Sequence, residues 1–302
     1  MRKCIITAFF LLFFSAYYLH LASGQELRIY NDGVIDYVPG EARFVLSADD
    51  AHSSLDIIQY SVDGSPLEVY KEAFSINEEG RHIIVYRAVD RVGNISPEKI
   101  YSVIVDKSPP EGLASIHGPL FMIEDNLYVR KDSMIVLWAE DGLSGVDAIY
   151  VSLDDGEYVE YTSPVAITEE GFHTAKTYAV DNVGNRTQEF SVSGYVDSTP
   201  PEVAITAEQD FIVTGGEVYT NRNNEFTVSA DDRGAGVKAI YISLDGSDYY
   251  NYPGPFKVQI PGLHTLRAKA SDNLGNESDP VELSFYIDII PPSTTMGVSF
   301  AD

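Results

Sequence analysis

The chain of 302 residues has one cysteine, Cys4, and one tryptophan, Trp138. Its cations are few: 20 Lys and Arg stand against 46 Asp and Glu, for a net charge of −26 and a pI near 4.4. A lone cysteine excludes a disulfide-stapled scaffold. The negative field disfavours nucleic acid and anionic membrane surfaces as partners and favours cations. Beyond residues 5–18 no stretch is long and apolar enough to cross a bilayer, and no ten-residue run has helical spacing. What the chain does have is 44% hydrophobic residues with 20 Tyr and 14 Phe, too many for a disordered acidic tail.

The first 24 residues read as a secretion signal. Arg2 and Lys3 precede the apolar run, and Ala22 and Gly24 hold positions −3 and −1 of a cut before Gln25. An uncleaved anchor is the alternative. Cys4 lies ahead of the apolar run, the wrong place for a lipidated cysteine. A cut there leaves a mature chain with no cysteine, which removes thiol catalysis, thiolate metal sites and disulfides together.

The rest of the chain repeats itself at an offset of 91 residues. Phe44-Val45-Leu46-Ser47-Ala48-Asp49-Asp50 returns at 135–141 and 226–232. Gly80-Arg81-His82 returns as Gly171-Phe172-His173 and Gly262-Leu263-His264. Ala88-Val89-Asp90-Arg91-Val92-Gly93-Asn94 returns at 179–185 and 270–276. Asp106 with Pro109-Pro110 returns as Asp197 with Pro200-Pro201 and Asp288 with Pro291-Pro292. The expected domains are 25–107, 108–198 and 199–290. Residues 291–302 are a tail or the start of a fourth repeat.

Within one repeat the hydrophobic period is two. Phe44, Leu46 and Ala48 share one face, as do Ile135, Leu137, Ala139 and Phe226, Val228, Ala230. The next strand directs Ile58, Tyr60 and Val62 inward, matched by Ile149, Val151, Leu153 and Ile240, Ile242, Leu244. Turn signals such as Asp63-Gly64, Asp245-Gly246 and Gly93-Asn94 separate the strands. About seven short strands per repeat predict an all-β fold of tandem immunoglobulin-like antiparallel β-sandwiches. Trp138 falls on the outward face of its strand and is not the core tryptophan of antibody domains.

The run Ala139-Glu140-Asp141-Gly142-x-Ser144-Gly145-Val146, then Ile149-Tyr150-x-Ser152-Leu153-Asp154, Tyr161, Gly171-x-His173 and Ala179-x-Asp181-x-x-Gly184-Asn185 resembles the bacterial Ig-like repeat family named after a leptospiral outer-membrane protein. The third copy follows the same pattern. The first departs from it, with Ser53-Ser54-Leu55 where the middle copy has Ser144-Gly145-Val146. The resemblance implies a secreted, periplasmic or outer-surface bacterial array, linked to adhesion or appended to larger enzymes, and no catalysis.

Acidic residues group by topology. Asp106, Glu140, Asp141, Asp181 and Asn185 are expected to meet at the first join, and Asp197, Asp231, Asp232, Asp272 and Asn276 at the second. Six to eight hard oxygen ligands suit calcium, the one candidate cofactor. The competing reading has these Asp and Asn residues hydrogen-bonding their own turns. His82, His173 and His264 sit one per repeat, too far apart to share zinc, and read as satisfied histidines at the core edge. Trp138, Tyr150, Tyr241, Tyr249, Tyr250 and Tyr252 are weak candidates for a protein or glycan contact. No catalytic residues are expected.

The functional expectation is a non-catalytic structural or adhesive rod at the cell surface, stiffened by calcium at its joins. The alternative is an accessory binding or spacer module of a larger extracellular enzyme. The expected partners are surface or matrix proteins or glycans, with no nucleic acid and no transmembrane span in the mature chain. Exposed sheet edges permit self-association.

Overall fold

The computed structural model describes residues 19–20 and 26–297. Most of the expected signal, including residues 5–18, Ala22 and Gly24, lies outside them. All regular elements among the described residues are β-strands. No helix there is long and apolar enough to cross a membrane.

Packing divides the described chain into two compact units. One gathers the residues up to Ser115 with Val136–Pro164 and Thr174–Val192; the other gathers Ile116–Ile135, Val165–His173 and everything from Ser193 onward. The dividing lines fall inside the middle repeat and not at the double prolines.

In the second unit the last repeat is complete. A six-stranded sheet runs in the order Ile212–Thr214, Glu217–Thr220, Val281–Ile287, Gly262–Asp272, Val237–Leu244, Tyr250–Asn251. A three-stranded sheet is ordered Glu202–Ala207, Glu225–Asp231, Phe256–Lys257. Phe226 and Val228 from the small sheet close onto Ile242, Leu266, Phe285 and Ile287 from the large one. That is the face-to-face packing the alternation requires, with polar residues turned outward. The middle repeat has the same two strand orders, with Glu111–His117, Met134–Glu140 and Val165–Ala166 as its small sheet.

The sandwiches are not purely antiparallel. Asp36–Pro39 pairs in parallel with Lys99–Asp106, Asn126–Val129 with Phe190–Val196, and Glu217–Thr220 with Val281–Ile287. Each of these short strands enters the large sheet beside the last strand of its repeat. A period-two pattern does not distinguish the two directions.

Hairpin turns are set locally. Asp63 and Gly64 have φ of 53° and 75°, and Asp245 and Gly246 have 53° and 77°. Positive φ at both central residues is the type I′ geometry that Asp-Gly favours. The serine two residues before each turn aspartate is buried and donates from Oγ to a turn carbonyl: Ser61 to Ser65, Ser152 to Gly156 and Ser243 to Ser247, at 2.6–2.7 Å. The Ser-Leu-Asp pattern is therefore a turn lock.

The first repeat, in the first unit, departs from this plan. Its six-stranded sheet is present, ordered Tyr30–Asn31, Asp36–Pro39, Lys99–Asp106, Gly80–Asp90, Leu55–Val62, Glu68–Val69, over a core of Val38, Ile76, Ile84, Val103 and Val105. The strand expected over residues 44–49 is not formed. That segment makes only one isolated bridge, Phe44 to Phe74. In the third repeat the equivalent strand, Glu225–Asp231, is held by Glu202–Ala207 along six residues. Two repeat lengths earlier that partner corresponds to residues 20–25, of which 21–25 lie outside the described residues. Among the described residues no outer strand covers Phe44, which is half-buried, whereas Phe226 is 0% exposed.

Candidate cation sites at the repeat joins

Each candidate site is built where three strands end. In the first unit, Lys99–Asp106 ends on Asp106, Asp141 follows Met134–Glu140, and Gly171–Asp181 ends on Asp181. Asp106, Asp141 and Asp181 each place a carboxylate oxygen so that all three lie within 4.8 Å of one another. In the second unit Asp197, Asp232 and Asp272 do the same. Asp106, Asp181 and Asp272 are fully buried and Asp197 nearly so.

The loop aspartates first organise their own turns. Asp181 Oδ1 accepts from the amides of Val183 (3.0 Å) and Asn185 (2.7 Å). Asp272 does the same with Leu274 (2.9 Å) and Asn276 (2.8 Å). Asp141 Oδ1 accepts from Leu143 and Gly145, and Asp232 Oδ1 from Gly234 and Gly236. The turn-capping reading therefore describes real bonds, and it coexists with the convergence of the three carboxylates. The linker aspartates reach across: Asp106 Oδ2 accepts from the Ser144 amide (2.9 Å), and Asp197 Oδ2 from the Ala235 amide (2.6 Å).

Several expected ligands take other places. Glu140 and Asp231 end their strands on the exposed side and stay outside the triads, because the strand period directs their neighbours Asp141 and Asp232 inward. Asn185 and Asn276 are donors here. Their Nδ2 groups bond Asp181 and Asp272 Oδ2 at 2.7 Å and the linker carbonyls of Asp106 and Asp197 at 3.2 Å. Asn182 and Asn273, not singled out from sequence, tie the opposing loops by donating to the carbonyls of Ser144 and Gly145 and of Ala235 and Gly236. Their signal was present: asparagine follows the loop aspartate in both of these copies, and Arg91 replaces it in the first.

Charge in the first cluster is poorly compensated, and at the second the nearest guanidinium, Arg130, bonds the Leu274 carbonyl and not one of the three carboxylates. None of the six aspartates has an ion-pair partner among the described residues. Burial pushes the Asp181 carboxyl up to about 6, against the bonds from Asn185 and with help from the charge on Asp106. Burial also raises Asp106, and it raises Asp232, where the charges of Asp197 and Asp272 add to it. Asp106 Oδ1 and Ser144 Oγ are buried with no hydrogen-bond partner. Orphaned oxygens beside three carboxylates fit a hard cation, which takes oxygen ligands only.

The first repeat offers a contrast. Asp50 and Asp90 occupy the loop positions, and no linker aspartate faces them. The Ser53 hydroxyl instead bridges the pair, at 2.9 Å from Asp50 Oδ2 and 2.7 Å from Asp90 Oδ2. Ser54 holds φ at 65°, the region used by Gly145 (80°) and Gly236 (77°), so the sequence departure leaves the loop conformation intact.

The remaining candidates are dispersed. Trp138 is exposed, as are Tyr249 and Tyr250. Tyr150 stacks on Tyr178 at 5.0 Å. Lys269 Nζ lies 5.9 Å from the Tyr241 ring and 5.2 Å from that of Tyr249. Tyr252 packs against the core and its hydroxyl accepts from the Val228 amide, which makes it a structural residue. His82 and His264 are buried and doubly bonded, to Asp63 (2.6 Å) and the Glu78 carbonyl (2.9 Å), and to Asp245 (2.8 Å) and the Ile260 carbonyl (2.7 Å). His173 contacts the Glu169 carbonyl through Nε2 (2.8 Å).

No protein-family model and no curated protein matches the chain. Solved structures similar to it include the fibronectin(III)-like modules of CbhA from Clostridium thermocellum, at 15% identity and a TM-score of 0.33, covering 61% of this chain and 100% of that one. A 1.5-MDa bacterial ice-binding adhesin is similar at 11% identity and a TM-score of 0.40, over 83% of this chain and 93% of that one. SGBP-B of the Bacteroides ovatus mixed-linkage glucan utilization locus is similar at 13% and 0.20, over 83% and 65%. At such scores the fold assignment rests on the sheets themselves: the chain is an all-β protein of tandem Ig-like sandwich repeats.

Proposed function

We propose that the chain is a non-catalytic, exported structural or adhesive module whose repeat joins are cross-linked by calcium. One observation carries this reading: at each join three carboxylates converge with no ion-pair partner among the described residues, and at the first of them a buried Asp106 oxygen has no partner. A divalent ion held by Asp106, Asp141 and Asp181, with Asp197, Asp232 and Asp272 as the second set, neutralises that charge. It also ties three strand ends together. The export signal, the tandem repeats and the resemblance to the leptospiral Ig-like family support a cell-surface or secreted setting. The histidine rings are engaged in structural bonds, which supports the absence of catalysis. A second reading, an accessory glycan- or protein-binding module of a larger extracellular enzyme, is favoured by the exposed rings of Trp138, Tyr249 and Tyr250.

Titration calorimetry of calcium into the chain is expected to show two ions, and one in Asp106→Asn. Thermal melts of that variant should cross those of the parent. In chelator it melts at or above the parent, because an uncompensated buried charge is gone; in calcium it melts below, because a ligand is gone. Overlapping parental melts in calcium and chelator, with no ion bound, would discard the reading.

A further inference from the structure

The two joins bring together matching sets of three carboxylates but do not present the same oxygens. Position 144 of the first join is serine, and the 91-residue offset puts Ala235 in its place at the second. Ser144 is 5% exposed and lies beside the Asp106 carboxylate. Neither its Oγ nor Asp106 Oδ1 has a hydrogen-bond partner among the described residues. Ala235 is fully buried and has no side-chain oxygen to offer.

The linker aspartates are also served differently. At the second join both oxygens of Asp197 accept from amides: Oδ1 from Thr199 (3.1 Å) and Oδ2 from Ala235 (2.6 Å). At the first join the counterpart of the Thr199 amide is that of Ser108, and Glu79 takes it. Glu79 Oε1 accepts from the amides of Lys107 (2.8 Å) and Ser108 (2.9 Å), and its Oε2 from the Ser108 hydroxyl (2.9 Å). Glu170, the counterpart of Glu79, accepts from the Ser198 amide (2.8 Å) and leaves that of Thr199 to Asp197. A second cause is steric. Asp197 Oδ2 occupies space where a Cβ on Gly234 would approach it to 2.1 Å. Leu143 stands at that position in the first join and carries a Cβ, so Asp106 cannot take the same seat. The arginines do not separate the sites. Arg28 donates to the Asn182 carbonyl and pairs with Asp147 (2.5 Å); Arg130 donates to the Leu274 carbonyl and pairs with Asp132 (2.7 Å). Both aspartates lie outside the triads.

A hard cation takes oxygens that no donor has claimed, and a hydroxyl has lone pairs to give. We propose that Ser144 is a fourth side-chain ligand at the first join and that the joins fill in order. The first takes calcium ahead of the second, whose linker carboxylate is already satisfied by amides. Glu79 is a positioning residue: by holding the Ser108 amide it keeps Asp106 Oδ1 open. The proposal rests on calcium binding at the joins and adds an order to it. Between the two affinities lies a range of calcium in which the first join is cross-linked and the second is not.

The test is calorimetric titration of calcium into the full chain, with melts of each variant in chelator. The parent is expected to bind in two steps whose affinities differ about tenfold or more, the scale on which supporting groups tune a metal site. Asp106→Asn should remove the tighter step and Asp197→Asn the weaker. Ser144→Ala should weaken the tighter step about tenfold, while its melt in chelator matches the parent's because no bond is lost. Glu79→Ala should weaken the same step, and Glu79→Gln, which keeps an acceptor for the Ser108 amide, should restore it. A tighter step unchanged in Ser144→Ala overturns the proposal, as do two equal steps or a tighter step that survives Asp106→Asn. In each of those cases the chain still binds calcium and only the order and the serine ligand fall. No bound ion in the parent overturns calcium binding itself, and the proposal with it.

Discussion

At the scale of single residues, polar side chains do much of the shaping. His264 shows the physics most directly. Burial disfavours its charged form, but the bonds to Asp245 and the Ile260 carbonyl and the Asp245 charge outweigh it, and its pKa rises above 6.5. Asp245 moves the other way: burial raises its pKa, and the Thr265 amide and His264 more than offset this. A raised histidine contributes stability below its unfolded pKa and loses it as pH climbs through the folded value. A lowered aspartate contributes above its unfolded pKa and loses it as pH falls. The pair is therefore strongest between about pH 4 and 6.5. Asp245→Asn tolerates the left-handed turn and can keep an acceptor for Thr265, so its melting deficit should be clear at pH 5.5 and shrink at pH 8.5. Equal deficits at the two values would show that the charge does not matter.

At the scale of elements, the difference between the first and third repeats is one strand. Phe226 packs against both sheets and is closed by Glu202–Ala207; Phe44 has the same sequence position and no such cover among the described residues. Phe226→Ala should cost about 3–5 kcal/mol of local stability, the usual figure for a buried phenylalanine. Phe44→Ala should cost markedly less in the monomer. Native-state hydrogen exchange in Gly262–Asp272 and Gly80–Asp90 reads each repeat separately, as a multidomain chain requires. Similar losses at the two sites would mean that the first core is as closed as the third.

At the scale of the whole molecule, the net charge of −26 opposes compaction. Monovalent salt should raise the melting temperature by general screening. Calcium at about 1 mM, in the range typical of extracellular calcium modules, should raise it further than sodium chloride of equal ionic strength. Matching shifts from the two salts would reduce calcium to a screening ion.

What the sequence determined by itself was what local physics controls. Alternation at Phe226-Thr227-Val228 placed strands and inward faces, Asp-Gly pairs placed hairpins, and the 91-residue offset counted the repeats. The acidic joins were legible as a neighbourhood only. Tertiary structure decided that Asp141 and not Glu140 enters the triad, because one step along a strand reverses the side chain. It decided that Asn185 and Asn276 donate, because the carboxylates beside them already point inward. It also decided that residues 44–49 form no ladder with any described residue, because a strand forms only where a partner from elsewhere in the chain supplies the other half of its hydrogen bonds.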